Sequence, residues 1–526
     1  MKTVYYTDFP YSIIKKTGIQ KRKKGNPGTT KKAEYNYKDV VCAFDIETTR
    51  HIVGNHRAQG KLINDEVAIM YIWQFQYDEL YTIYGRTWED FNDFISKICE
   101  QLKADERLVI YVHNLSYEFS FLQDDFIMGK YIDKDSVFCM KARKILKFTA
   151  YEGKLEFRCS YIHSNMSLDL FTDKMGVEHR KLSGIEFNYN KKRYPWTDLT
   201  DKEKGYCFND VRGLVEALKK EMAIDDDNLY TIPLTSTGYV RRDIREAIKN
   251  AKIGNFIDKL QPDYDTYLLL RECFRGGNTH ANRDNANRII KAKNGYYIKS
   301  ADRSSSYPDV QMNRQFPTIP FARPKPEYIT NEHFLEMINK NRPVIARLEF
   351  YNLRLKYDEI AVPYISKSNL RNYTKDAIVE DNGRIIFVAH CEISVTDIDY
   401  KIIINQYKYD EMKVKDFMIS RYGDLPECIK NVIRDYYTKK TKLKGDEEQA
   451  IIYMKSKNKL NSIYGNSAQD PGKIAIVYDD GIYKTGANTK NGGFEDIEDT
   501  EHMKELNFDK IDDYINYIKR QQFFRW

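Results

Sequence analysis

The chain lacks any run approaching the roughly 18 apolar residues of a membrane span. Its best apolar stretch, Val67 to Phe75, has the length of a strand. Met1 is followed by Lys2 and a polar, Tyr-rich segment, so no secretory leader is visible. The eight cysteines are scattered and no C-x-x-C occurs. That pattern argues against a disulfide framework or a structural zinc site and for a reducing compartment. No repeat of roughly 20–50 residues is apparent, which excludes solenoids and propellers. The expected setting is cytoplasmic, with no membrane partner.

What is present is ample for a folded protein. The 526 residues are 42% apolar and include 41 Tyr and 26 Phe, enough for two to four domains and incompatible with wholesale disorder. The net charge is +7, from 84 Lys/Arg and 77 Asp/Glu. Residues 1–38 hold ten Lys/Arg against two acids, a surplus of eight that leaves −1 for the rest. The run Lys21-Arg22-Lys23-Lys24-Gly25-Asn26-Pro27-Gly28 reads as a flexible basic arm, either a phosphate binder or a solvated extension. Beyond it, residues 39–222 have an α/β texture. Residues 223–310 pass from a linker-like Asp225-Asp226-Asp227-Asn228 through helices to a strand, and residues 311–526 are mixed.

Three segments carry carboxylates in suggestive places. Val40 to Thr49 reads as a buried strand that turns acidic at its end. Residues i and i+2 share one side of a strand, so Asp45 and Glu47 project together. Paired carboxylates repel and call for a cation, Mg²⁺ being the natural oxygen-liganded one. Chance alone supplies about eleven acid-x-acid pairs in such a composition, most of them on solvated faces. Leu108 to Val112 reads as a second strand, broken at His113-Asn114 before a helix with Glu118 in its first turn. There a helix-start acid stabilising its own dipole is the bland alternative. Thr200 to Glu203 is a capping box opening a helix over 204–222, with Tyr206 and Asp210 one turn apart on one face.

Together these residues resemble the 3′–5′ proofreading exonuclease of family B DNA polymerases. Asp45-x-Glu47 matches the first motif, Asn114-x-x-Tyr117-Glu118 the second (with Tyr-Glu where Phe-Asp is usual), and Tyr206-x-x-x-Asp210 the third. Ser167-Leu168 and Lys181 fall where the protein-primed branch places single-strand-binding residues. The resemblance implies an RNase H-like fold for residues 39–222. It also implies two Mg²⁺ (or Mn²⁺) per active site, held here by Asp45, Glu47, Asp210 and Glu118, which clamp a scissile phosphate while Tyr206 orients the attacking water.

The second half carries its own signals. Cys273-Phe274-Arg275-Gly276-Gly277-Asn278 is a basic Gly-Gly turn, ordinarily just a turn. Tyr296 to Asp302 reads as a strand ending in a carboxylate, followed by Arg303-Ser304-Ser305-Ser306-Tyr307-Pro308. Ile429 to Lys444 and Glu447 to Tyr464 read as two helices joined at Gly445-Asp446. Residues 430–459 hold nine Lys/Arg against four acids. Lys457, Asn461 and Tyr464 share a face, Leu460 and Ile463 lie elsewhere, and Gly465 fits a C-cap.

These segments resemble the Tyr-x-Gly-Gly, motif A and motif B elements of the same family. The resemblance implies that Arg275, Gly276 and Gly277 contact the template, as Asn114 and Tyr117 contact the single strand. Asp302 would hold the polymerase metals, and Tyr307, Lys457, Asn461 and Tyr464 the incoming dNTP. It further implies primer-template DNA and a terminal priming protein as partners. Residues 223–310 would be linker and palm start, 311–425 an insertion like the terminal-protein region, 426–466 helical fingers, and 467–526 a second insertion or palm remnant.

The family also has an Asp-Thr-Asp turn several tens of residues after motif B. The sequence runs 65 residues past Asn461, to Trp526, without one. Tyr478-Asp479-Asp480-Gly481 lies 18 residues after Asn461, and Asp-Gly is also an ordinary hairpin turn. The expectation is a chain that ends before that motif and the thumb, with its exonuclease complete and its polymerase site incomplete, completed by a second chain if at all. A phage or linear-plasmid origin, and so the host cytoplasm, would follow. A non-catalytic nucleic-acid and terminal-protein binder and a stand-alone RNase H-like exonuclease are the alternatives. Motifs A and B in order weigh against the last.

Overall fold

The computed structural model describes residues 1–22, 35–58, 61–141, 144–181, 191–281, 285, 287–293, 295–357, 360, 362–446, 449–467, 475–479, 482–488 and 494–496. They divide into two compact units. One is built on Met1–Arg242 with Lys440–Asn458 and the strands from Ala475 on, the other on Asp243–Lys439 with residues 459–467.

In the first unit one mixed sheet runs through Lys2–Tyr5 (β1), Asn36–Tyr37 (β2), Cys42–Ala58 (β3), Lys61–Tyr77 (β4), Tyr81–Gly85 (β5), Glu106–Val112 (β6), Phe138–Lys141 (β7), Lys144–Ala150 (β8) and Leu155–Cys159 (β9). The strand order is β1-β5-β4-β3-β6-β9-β8-β7, with β2 beside β6. The central trio β3, β6 and β9 is parallel. Every residue of β6 is buried, as a parallel strand covered on both faces requires.

Helices Ser12–Lys16 (α1), Trp88–Glu100 (α2), Leu115–Leu122 (α3), Ser160–Ser164 (α4), Leu168–Lys174 (α5) and Asp201–Ile224 (α6) accompany the sheet. Alternation along β3 sorts its side chains. Cys42, Phe44 and Ile46 join the aromatic core with Trp73, Phe91 and Phe94. Val41 and Ala43 pack instead with Val211, Leu214, Val215 and Leu218 of α6. By the two-residue period of a strand, Asp45 and Glu47 continue the second set, toward α6.

Two expectations are corrected in this unit. Residues 1–22 and 35–38 are not a flexible arm. β1 pairs in parallel with β5, Phe9 and Ile14 are core residues, and Lys38 is buried against Glu106 at 3.1 Å. Burial of those apolar side chains outweighs the local charge. The basic run 23–28 lies outside the described residues. The Asp225–Asn228 stretch is likewise no solvated linker: Asp227 accepts from Arg242 at 2.5 Å, and Asn228 accepts from the Tyr230 and Thr231 amides.

The division between units falls within Ser236–Asn250 (α7). The second unit continues with Gly254–Lys259 (α8), Tyr264–Cys273 (α9), Ser306–Asn313 (α10), Asn331–Asn339 (α11) and Asp397–Gln406 (α12). Its strands are Phe316–Pro317 (β10), Val344–Leu355 (β11), Leu370–Arg371 (β12), Ile378–Asp381 (β13), Arg384–Thr396 (β14), Tyr407–Lys408 (β15), Glu411–Ile419 (β16) and Tyr422–Gly423 (β17). β11 is central, flanked by β14 and β16, over a core of Phe334, Leu348, Phe350, Val388 and Phe417.

The chain then forms helices Glu427–Lys442 (α13) and Ala450–Ser467 (α14) and strands Ala475–Asp479 (β18), Ile482–Asn488 (β19) and Phe494–Asp496 (β20). The β18–β19 hairpin pairs Asp479 with Ile482 across residues 480–481, which are outside the described set.

Two further expectations fail locally. No strand forms at Tyr296–Asp302: Tyr296, Tyr297 and Ile298 are 83, 68 and 64% exposed, and no described strand pairs with them. A strand exists only through its ladder, so alternation without a partner leaves an irregular segment. Gly465 is not a C-cap, because α14 runs on to Ser467; a glycine inside a helix costs about 1 kcal/mol and is tolerated. No described helix is long and apolar enough to cross a membrane.

Candidate active site

β3 delivers Asp45 and Glu47, and α6 delivers Asp210. One carboxylate oxygen from each of the three lies within 4.8 Å of the others. The capping box at Thr200–Glu203 forms as expected, Thr200 accepting from the Glu203 amide at 3.2 Å. It fixes the start of α6 and hence the rotation that points Tyr206 and Asp210 at the sheet. Tyr206 is buried with Tyr71 and Ile72 of β4. Glu118, in the first turn of α3, is 3% exposed and interacts with Asp45 and Glu47. It is not one of the three acids whose oxygens lie within 4.8 Å of one another.

Crowding these acids away from water disfavours their charged forms. Burial and the neighbouring Asp210 push Asp45 up to about 7. Burial, then Asp45, raises Glu47 and Glu118 well above the usual carboxylate range. Burial also raises Asp210, against the opposing pull of Lys181. Lys181 Nζ donates to Asp210 Oδ2 at 2.5 Å and lies 6.0 Å from the Tyr206 ring centre. Glu118 Oε2 and Asp210 Oδ1 are buried without a hydrogen-bond partner. Orphaned acceptors among mutually repelling acids suit an oxygen-seeking divalent cation.

The loop bearing Lys181 is docked on α6 by two contacts. Gly213 leaves no room for a side chain: a Cβ there would meet the His179 carbonyl oxygen at 2.0 Å. Glu216 accepts from the His179 amide at 3.2 Å and meets its Nδ1 at 2.5 Å. Glu178, His179 and Glu216 form the second group of three potential ligands among the described residues.

Residues expected to meet DNA divide. Asn114 is exposed, in a left-handed conformation ahead of α3 (φ 73°). Tyr117 is 41% exposed, its hydroxyl 2.6 Å from that of Thr48. Ser167 is exposed and caps α5 through the Leu170 amide, and the Leu168 side chain lies in the core. Arg275 is engaged within the protein. Its guanidinium donates to the Ser394 carbonyl at 2.5 Å and faces Asp399 at 3.6 Å, so it is held inside the second unit. Gly276 and Gly277 are exposed beside it.

Within the second unit three distant segments meet. Tyr307 stacks on Tyr464 at 4.5 Å and 15°, and Phe274 stacks on the same ring at 6.1 Å and 21°. The Tyr464 hydroxyl donates to the Arg275 carbonyl at 3.3 Å. Along α14, Lys457 and Asn461 are exposed while Leu460 and Ile463 are buried, as the helical face analysis predicts. Asp302 is exposed and belongs to neither group of three potential ligands.

Residues 151–521 match the DNA polymerase type B family, organellar and viral. The chain belongs to that family. Phi29 DNA polymerase in a post-translocation binary complex with primer-template DNA is similar at TM-score 0.61 and 16% identity, over 88% of this chain and 72% of that one. The same enzyme with single-stranded DNA gives 0.58 and 15%, and with primer-template and incoming nucleotide 0.57 and 15%, at the same coverage. These likenesses show the fold. No curated protein matches.

In this type B polymerase, sequence reasoning missed Gln74. It lies directly across from Asp45 in the β3–β4 register, is fully buried, and donates from Nε2 to Asp45 Oδ2 at 2.6 Å. The available signal was a buried amide in an apolar stretch, one of two with Gln76; only the register reveals which faces Asp45. His113 was passed over too. Burial, aided by Lys181, holds its pKa down to about 4, so it is neutral at pH 7.

Proposed function

We propose that residues 39–222 are the 3′–5′ proofreading exonuclease of a protein-primed type B DNA polymerase that serves viral DNA replication. The observation that carries this reading is the convergence of Asp45, Glu47 and Asp210 within 4.8 Å. Glu118, Tyr206 and Lys181 stand around them. Divalent cations bound there, Mg²⁺ or Mn²⁺, would neutralise charge on the scissile phosphate, usually the largest catalytic term in such chemistry. The chain's own groups do the rest. Gln74 orients Asp45, Lys181 offsets charge beside Asp210, and the Tyr206 phenol positions water. Asn114 and Tyr117 guide the 3′ end.

Beyond residue 222 the chain fits the linker and palm start, terminal-protein-region insertion and fingers. Residues 223–310, 311–425 and 426–466 take those parts, and 467–526 a second insertion or palm remnant. Tyr307, Lys457, Asn461 and Tyr464 form the dNTP side, and Asp302 a polymerase metal ligand. The Tyr307–Tyr464 stack supports this, because it joins motif A to motif B. Primer-template DNA, dNTPs and a terminal protein are the partners that follow.

Digestion of a 5′-labelled single strand in Mn²⁺ tests the reading. Wild type shortens the strand from its 3′ end, and Asp45→Ala/Glu47→Ala abolishes shortening. Equal digestion by the double variant would falsify it.

A further inference from the structure

Trp196 is 78% exposed, yet the loop that carries it is tightly held. Arg86 Nη2 donates to the carbonyls of Tyr194 and Thr197 at 3.0 and 2.7 Å, and its Nε to that of Tyr71 at 2.7 Å. The Tyr194 amide donates to Thr197 Oγ1 at 2.9 Å. Arg193 closes on Glu203 at 2.8 Å. The Tyr194 hydroxyl meets His51 Nδ1 at 3.0 Å, tying the loop to β3 four residues beyond Glu47. On this fixed loop the Trp196 indole lies parallel to the Tyr194 ring, 5.1 Å away and 6° apart.

An aromatic pair held this firmly, with one large ring turned to solvent, is preorganised for a flat ligand. Its surroundings favour an anionic one. Lys192 Nζ donates to the Arg50 carbonyl at 2.6 Å, which brings its ammonium to the same strand end as the Arg50 side chain. The Arg50 side chain is 80% exposed, with Glu66 at 3.7 Å. Aromatic faces set among cations are the recurring means of holding single-stranded nucleic acid. Position agrees: four residues along a strand span about 13 Å, so a DNA strand with its 3′ end at Asp45 and Glu47 can reach the ring.

We propose that Tyr194–Trp196 is a stacking platform for a base of single-stranded DNA upstream of the 3′ end, with Arg50 and Lys192 beside the backbone phosphates. The proposal rests on the exonuclease reading above for its substrate. The platform fixes how the strand is gripped, not how it is cut.

The test is the affinity of the full chain for fluorescein-labelled dT₁₅ in EDTA, where no metal-dependent cleavage occurs. A base–aromatic stack contributes about 1–3 kcal/mol, so Trp196→Ala weakens binding at least about fivefold. Trp196→Phe keeps most of the affinity because it retains a ring. Arg50→Ala/Lys192→Ala lowers affinity and flattens its salt dependence. A dissociation constant for Trp196→Ala within twofold of wild type, or an equal loss in Trp196→Phe, overturns the platform. Digestion in Mn²⁺, run separately, judges the exonuclease reading: a wild type that binds dT₁₅ through Trp196 but never shortens it refutes that reading and leaves the platform standing.

Discussion

Gln74 and Lys181 both act on the carboxylate cluster, Gln74 through Asp45 and Lys181 through Asp210. Each favours the ionised form, Gln74 by hydrogen bonding to Asp45 and Lys181 by its charge beside Asp210 and Asp45. Removing either raises the carboxylate pKa further. Gln74→Leu is expected to move the acidic limb of the exonuclease pH–rate profile upward by about half to one pH unit, the equivalent of one lost hydrogen bond. Lys181→Met moves the same limb in the same direction. A profile unchanged in both variants would show that neither residue sets the ionisation of the site. Asp45, Glu47, Tyr206 and Asp210 are recognisable in the sequence because motif spacing is preserved. Gln74 is not, since nothing in a linear reading announces which β4 residue faces Asp45.

At the scale of elements, the docking of the Lys181 loop on α6 depends on the absent side chain at Gly213. Gly213→Ala forces that backbone to move, because the new Cβ would meet a carbonyl oxygen at 2.0 Å. The expected result is a drop in exonuclease rate of tenfold or more, with a melting temperature several degrees lower. Unchanged rate and melting temperature would show that the loop is not held there.

A second element-scale contact joins α14 to α6. Lys455 Nζ lies 2.7 Å from Glu221 Oε1, and Glu221 also meets His163 Nε2 at 2.7 Å. Lys455→Ala leaves buried charge poorly matched and is expected to cost about 3 kcal/mol, read as the shift of a urea unfolding midpoint. A midpoint that does not move contradicts it.

Elements with strong local signals were legible from the sequence: the Thr200 capping box, strand β3, and the buried and exposed faces of α14. Those decided by tertiary context were not. The N-terminal segment reads as an arm by charge but folds because Phe9 and Ile14 find a core. Tyr296–Asp302 reads as a strand by alternation but finds no partner among the described residues. The contacts of Arg275 with Ser394 and Asp399 were likewise not visible in the sequence, because those residues lie more than a hundred positions away.

For the molecule as a whole, the raised carboxylates link stability to pH and to metal. A group whose pKa rises on folding stabilises fully below its unfolded value and loses that contribution as pH climbs through the folded one. For Asp45 this window runs from about 4 to about 7, and Glu47, Glu118 and Asp210 act in the same direction. The metal-free protein is therefore expected to be less stable than Asp45→Asn/Glu47→Gln at pH 8, the gap closing by pH 5. Mn²⁺ should raise the wild-type melting temperature more at pH 8 than at pH 5. A gap independent of pH would argue against clustered, destabilising charge.

The most direct measurement is Mn²⁺ binding followed by electron paramagnetic resonance at pH 8, comparing wild type with Asp45→Asn/Asp210→Asn. A metal cage predicts tight sites in wild type that the double variant loses. Equal binding by both proteins, or no tight site in wild type, would contradict it.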